Sequence, residues 1–260
     1  MARQALNLKN ARILVTNDDG IYGPGLKVLE RIAKMLCPDV WVVAPQSEQS
    51  ATSHSLTLRR PLRTKKLGTR RFAVDGTPTD CVLLAQRRIL KDRPADLVLS
   101  GVNEGANLGE DVGYSGTIAA ATEGSLLGAA SIALSQGTMR DRPTPWKTAE
   151  KYGADVIRRL VSQAWPKDIL INVNFPFCQP DQVRGLQICI QGRHESGIEI
   201  FAGSDPSGRP YDWVGNFSEP AEAQKGSDIA AFYEGSITIT PLKFDRTHQA
   251  GLKFLKGLFP

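Results

Sequence analysis

Apolar residues along this chain fall into two alternating rhythms. Short unbroken runs, at 12–16 (RILVT), 40–44 (VWVVA), 96–100 (DLVLS), 130–135 (ASIALS) and 168–175 (DILINVNF), have the length and composition of buried strands. Segments of helical period lie between them. Over 24–36, Leu26, Leu29, Ile32, Ala33 and Leu36 form one stripe and Lys27, Glu30, Arg31 and Lys34 the opposite one, with Pro24 at the permissive first turn. Residues 77–90 open with Thr77, Pro78 and Asp80, an acidic form of the capping box, and read as a helix start. Residues 117–128 predict an alanine-rich helix able to lie close to a sheet, and 145–163 a long amphipathic one. This alternation predicts an α/β fold with a mostly parallel sheet and crossover helices.

Beyond residue 176 the rhythm changes. Residues 182–190 and 235–242 are β-like, a polar Gly/Pro/Asp-rich stretch spans 191–226, and a short helix over roughly 245–258 ends the chain. A stretch of that length without periodicity is expected to be functional or to be an arm that packs on another subunit. The chain therefore reads as a single domain over 1–260, with its core at about 11–190 and an oligomerisation arm and helix at about 191–260.

Composition narrows the function. With 260 residues and 41% hydrophobic content the chain can bury a large core. The start, MARQALNLKN, has no signal-type apolar stretch, and no run approaches the roughly 20 residues that span a bilayer, so a soluble, cytoplasmic protein is expected. Cys37, Cys81, Cys178 and Cys189 are scattered within apolar segments and read as reduced core residues. His54, His194 and His248 are far apart, which argues against zinc, so any metal should be held by oxygen. The net charge of +5 concentrates in LRRPLRTKKLGTRR, residues 58–71. That stretch reads as an edge hairpin whose charge guards a sheet edge. The competing reading, a nucleic-acid or polyanion-binding module, is disfavoured because no aromatics are interleaved for base stacking.

Ligands of open parallel sheets bind at the carboxyl ends of the strands. There the first strand delivers Asn17, Asp18 and Asp19, the second Ser47 and Ser50, and the third Ser100, Asn103 and Asn107. Asp18 and Asp19 could simply form a polar turn before Gly20. If the strands are neighbours, however, the two carboxylates meet hydroxyl and amide oxygens, a set suited to Mg²⁺ or Mn²⁺. In GYSGT, Ser115, Gly116 and Thr117 open a helix, whose free amides favour a phosphate. A metal cage facing a phosphate cradle points to phosphoryl chemistry. Walker A, G-x-G-x-x-G and G-x-S-x-G motifs are all absent, which disfavours P-loop enzymes, dinucleotide oxidoreductases and serine hydrolases.

Together, NDDG after the first strand, VVAPQSEQSATSHSLT (42–57), GTPTDCV (76–82), SGVNEGANLGEDVGYSGTIAAATEG (100–124) and TPL (240–242) resemble the survival protein SurE family of metal-dependent nucleotidases. The likeness runs from about Arg12 to the terminal helix. It implies a three-layer Rossmann-like core with a C-terminal extension exchanged between subunits, giving a homodimer or homotetramer. It implies hydrolysis of nucleoside 5'-monophosphates, with 3'-monophosphates and short polyphosphate as further candidates, and one divalent ion per subunit, Mg²⁺ or Mn²⁺. Carried over by motif, the metal ligands fall on Asp18, Asp19, Ser50 and Asn103, with Asp18 and Asp19 catalytic. The phosphate-binding set falls on Ser50, Asn107, Ser115, Gly116 and Thr117. A metal-activated water is the expected nucleophile, and an aspartyl-phosphate route ranks below it because a ligating carboxylate is a poorer nucleophile. Two departures stand out. Residues Met1 to Asn10 precede the family's usual start and are expected to be a floppy tail, and Asp212 stands where the family usually has an aromatic.

Overall fold

The computed structural model describes residues 2–194, 197–217 and 223–259. In chain order the elements are β1 (Ala2–Arg3), β2 (Ile13–Thr16), α1 (Pro24–Leu36), β3 (Val40–Pro45), β4 (Thr64–Gly68), β5 (Arg71–Val74) and α2 (Pro78–Leu84), which continues into a π turn at Ala85–Ile89. They are followed by β6 (Leu97–Glu104), α3 (Gly116–Leu126), β7 (Ala130–Gln136), α4 (Trp146–Val161), β8 (Trp165–Pro166), β9 (Ile169–Phe175) and β10 (Leu186–Ile188). A hairpin of β11 (Ile198–Ser204) and β12 (Pro210–Phe217), then α5 (Asp228–Tyr233), β13 (Ile237–Lys243) and α6 (Gln249–Leu258), complete the chain.

The central sheet has the order β10-β13-β9-β7-β6-β2-β3-β5-β4. From β9 to β5 the neighbours run parallel, while β13 and β4 are antiparallel to β9 and β5. The α/β fold expected from the alternation is therefore present, as are three layers. The stripe of α1, Leu26, Leu29 and Ile32, packs with Ile157 of α4 on one face of the sheet. Cys81 and Val82 of α2 and Ala120 of α3 pack against Leu14, Val43 and Val98 on the other. The chain leaves β2 for β3 and β5 and then returns to β6 on the opposite side of β2. Strand order reverses between β2 and β6, and the crevice at such a switch point is where open sheets bind ligands.

Each predicted strand forms, and α1 spans the predicted residues. The basic stretch 58–71 leads into the edge strand β4, whose lysines Lys65 and Lys66 are exposed, as the edge-guarding reading expects. Cys37, Cys81, Cys178 and Cys189 are all free thiols.

Two expectations need correction. The aperiodic stretch 191–226 contains a regular antiparallel hairpin, β11 with β12. Its apolar residues Ile200, Trp213 and Val214 are exposed, so no buried face imposes an alternation for the sequence to display. The N-terminal residues are not a floppy tail. Ala2 and Arg3 pair with Pro166 and Trp165, and the Leu6 N–H donates to Val161 O at 2.9 Å. Arg3 is buried; its guanidinium donates to Gly128 O at 2.8 Å, Ser125 Oγ at 2.9 Å and Lys167 O at 2.9 Å. It thus satisfies carbonyls left open at the C-terminal end of α3, the helix whose other end forms the candidate site. Neither a two-residue pairing nor an arginine buried on backbone oxygens leaves a periodic signal. Arg3→Met should lower the thermal midpoint, by about 1–3 kcal/mol of stability, because it strands buried carbonyls. An unchanged midpoint in calorimetry would show that the N-terminal strap carries no load.

Candidate active site

β2 ends at Thr16 and the chain turns sharply through Asn17–Gly20. Asn17 Nδ2 closes the turn on Gly20 O at 3.0 Å, and Gly20 sits at φ +94°, where a Cβ would lie 3.1 Å from the Ser47 carbonyl carbon. Only glycine fits that conformation and space without strain. The turn sets Asp18 and Asp19 at the carboxyl edge of the sheet, inside the switch-point crevice.

Asp18 is buried against the start of α3. A Cβ on Gly116 would lie 2.9 Å from Asp18 Cβ, so glycine at that position is what lets helix and carboxylate meet. The Thr117 hydroxyl donates to Asp18 Oδ1, and the Thr117 backbone N–H adds to the same carboxylate. Burial raises the Asp18 pKa, with the Thr117 hydrogen bonds opposing. Asp19 is pushed up to about 7, first by burial, then by the charges of Asp18 and Glu104. Its Oδ2 is buried without a hydrogen-bond partner, and so is Asn17 Oδ1. Such orphaned oxygens are costly unless something positive completes them.

The loop after β3 carries Ser50, which is exposed and donates its hydroxyl to Glu48 Oε1 at 2.8 Å. Gln49 N–H donates to Asp18 O at 2.8 Å, which ties this loop to the first. Ala51 and Ser53 are held at φ 55° and 52°, a left-handed conformation that costs on the order of 1 kcal/mol or more per non-glycine residue. Ser53 holds the shape by donating to Tyr114 O at 3.0 Å and Gly113 O at 2.8 Å.

β6 contributes the third wall. Asn103 Nδ2 donates to Gly105 O at 2.8 Å, which leaves its carbonyl oxygen as the end open to a cation. Asn107 is buried and fixed on β7 and β9, donating from its backbone to Asn174 Oδ1 and from Nδ2 to Ser135 Oγ, each at 2.8 Å. Ser115 caps α3 by accepting from Ile118 N–H at 3.1 Å.

These walls enclose a cavity of about 440 Å³ lined by Asp18, Asp19, Ser50, Asn103, Asn107 and Ser115. Gly116 and Thr117 stand behind Asp18 and do not line it, and neither do Ser47 and Ser100. Four further polar lining residues, Glu48, Glu104, Asp111 and Tyr114, escaped the sequence reading. Glu48 and Glu104 lie two and one residues from Ser50 and Asn103, so adjacency was the available signal. Five carboxylates and no lysine or arginine line the cavity.

Comparison with known proteins gives one consistent result. The family model described as survival protein SurE matches residues 13–197. A protein from Paramagnetospirillum magneticum named 5'-nucleotidase SurE is 54% identical over 248 residues, covering 95% of each chain. Another of that name, from Parvibaculum lavamentivorans, is 51% identical over 250 residues, covering 95% of this chain and 90% of its own. The crystal structure of the SurE protein from Aquifex aeolicus superposes with a TM-score of 0.84 at 37% identity, covering 96% of this chain and all (100%) of that one. On these matches, which extend through the core and the candidate site, the chain belongs to the survival protein SurE family.

Proposed function

We propose that this chain is a divalent-cation-dependent 5'-nucleotidase that hydrolyses nucleoside 5'-monophosphates to nucleoside and inorganic phosphate. The observation that carries the cation is the charge of the cavity. A phosphate dianion entering among five carboxylates with no lysine or arginine in the lining would be repelled unless a cation offset them. The substrate class follows the relatives named 5'-nucleotidase SurE.

The residues suit a hard cation. The ligand set in this reading is Asp18 and Asp19 with neutral oxygens from Ser50 and Asn103, all of which line the cavity, and hard oxygen donors of that kind suit Mg²⁺ or Mn²⁺. One such ion per subunit would offset phosphoryl charge and acidify a nearby water. Asp18, fixed by Thr117, holds its place as a ligand. Asp19 orients the attacking water and takes its proton, while Asn107 and Ser115 face the phosphate oxygens. Localisation is read as cytoplasmic; no helix among the described residues is long and apolar enough to cross a membrane. The assembly is read as a homodimer or homotetramer through the C-terminal segment. The polyanion-binding alternative is not favoured.

Phosphate release from 5'-AMP should require added Mn²⁺ or Mg²⁺ and stop in EDTA; equal release with and without metal would overturn the reading. Thr117→Ala should weaken turnover by about tenfold, because Asp18 loses a charge-assisted hydrogen bond. If the variant's rate and its inhibition by inorganic phosphate match the parent's, Thr117 has no part in the site.

A further inference from the structure

A second cavity, about 820 Å³, begins where the first ends: Ser115 lines both. It runs as a groove along one face of α3, touching Ser115, Ile118, Ala119, Thr122 and Leu126, residues whose spacing places them one above another on the helix. From Ser115 to Leu126 that face is roughly 16 Å long at 1.5 Å per residue. Ser53, pinned on Gly113 O, lines the groove, and no carboxylate does.

The far end of the groove has a different chemistry. There the chain leaves β13 through Lys243, Phe244, Asp245 and Arg246, and the Lys243, Phe244 and Arg246 side chains line the wall. Both cations are exposed; Lys243 is near enough to help the Thr247 hydrogen bonds lower the Asp245 pKa, and neither cation forms an ion pair among the described residues. Asp245 is engaged with the Thr247 N–H at 2.9 Å. A partly exposed aromatic flanked by two cations is the combination that single-stranded nucleic acids use, a ring for a base to stack on and charges for the backbone.

We infer that this groove is a subsite for short 5'-phosphorylated oligonucleotides, and that the chain removes the terminal 5'-phosphate from them. This rests on the nucleotidase reading and extends its substrate class from mononucleotides to chains. The 5'-phosphate occupies the first cavity, the sugar of the first nucleotide passes Ser115, and a later phosphate meets Lys243 and Arg246 with a base on Phe244. The bond formed joins water oxygen to phosphorus. The bond broken joins phosphorus to the 5'-oxygen, which takes a proton and leaves as the 5'-hydroxyl end of the oligonucleotide.

Two readouts test it on the full chain. The first is fluorescence anisotropy with a 3'-labelled, 5'-phosphorylated triadenylate; the second is phosphate release from that oligonucleotide, unlabelled, and from 5'-AMP. The expected result is that the parent binds the oligonucleotide and has a lower KM for it than for 5'-AMP. Lys243→Ala with Arg246→Ala should weaken oligonucleotide binding about tenfold, through two lost charge-assisted contacts, and leave 5'-AMP turnover unchanged. Phe244→Ala should do the same more mildly. Absence of binding by the parent, equal binding by parent and variant, or an equal loss on both substrates would overturn the subsite. So would a changed mass of the double variant in light scattering, which would mean that a second copy fills the groove. Binding without any hydrolysis of 5'-AMP would instead remove the nucleotidase reading.

Discussion

Asp19→Asn should lose nucleotidase activity by on the order of 10² to 10³-fold while the protein remains folded. On the proposed reading it removes one of the two ligating charges, Ser50 and Asn103 being neutral ligands beside Asp18, and it removes the oxygen that takes the water's proton. The same substitution should stabilise the metal-free protein at neutral pH. Burial, then Asp18 and Glu104, push Asp19 up to about 7 in the folded chain, whereas the unfolded chain releases that proton near 4. Between those values the folded state binds more protons than the unfolded state, so stability falls as pH rises from about 4 to about 7 and is flat above. Asparagine removes the slope. In EDTA at pH 8 the variant should be more stable than the parent by about 2 kcal/mol, after allowance for screening at the exposed edge of Asp19. At pH 4 the two should coincide. Mn²⁺ should raise the parent's midpoint and leave that of the variant in place. Parent-like turnover, or a variant that is less stable than the parent at pH 8, would remove Asp19 from the site.

The sequence exposes this pair because a strand end is a strong signal: Ile13, Leu14 and Val15 are fully buried, and the next charged residues fall at the sheet edge. Asn103 and Asn107 are legible in the same way after Val98 and Leu99. Asp18's partnership with Thr117 is not, because it joins residues 99 positions apart and depends on Gly116 having no side chain. Glu48 and Glu104 were equally hidden; a loop carboxylate facing a cavity and one facing water look alike until the fold places them. Periodicity finds elements that bury one face, as α1 and α4 do. It fails for Arg3, which is buried by hydrogen bonds, and for the hairpin of β11 and β12, which buries almost nothing among the described residues. Asp212, the residue unlike the family's aromatic, lies in that hairpin opposite Ala202 and away from both cavities.

The C-terminal helix carries the second large prediction. α6 has an apolar stripe, yet none of its residues is buried; Phe254, Leu255 and Leu258 are 65%, 51% and 57% exposed, and Phe259 just beyond the helix is 78% exposed. A helix of 10 residues is marginal in water by itself and takes its stability from packing an apolar face. Among the described residues nothing buries that face, and a second copy related by a two-fold axis would cover both at once. Light scattering of the full chain at micromolar concentration should therefore give a homodimer or a homotetramer. Leu255→Asp with Leu258→Asp should dissociate or aggregate it, since each aspartate sets a charge where an apolar contact is needed. The dissociated fraction should still hydrolyse 5'-AMP, because the residues of the first cavity all belong to the core between Asp18 and Ser115. A parent that is monomeric and stable at that concentration would exclude the exchange, and a dissociated variant without activity would mean that the partner completes the site.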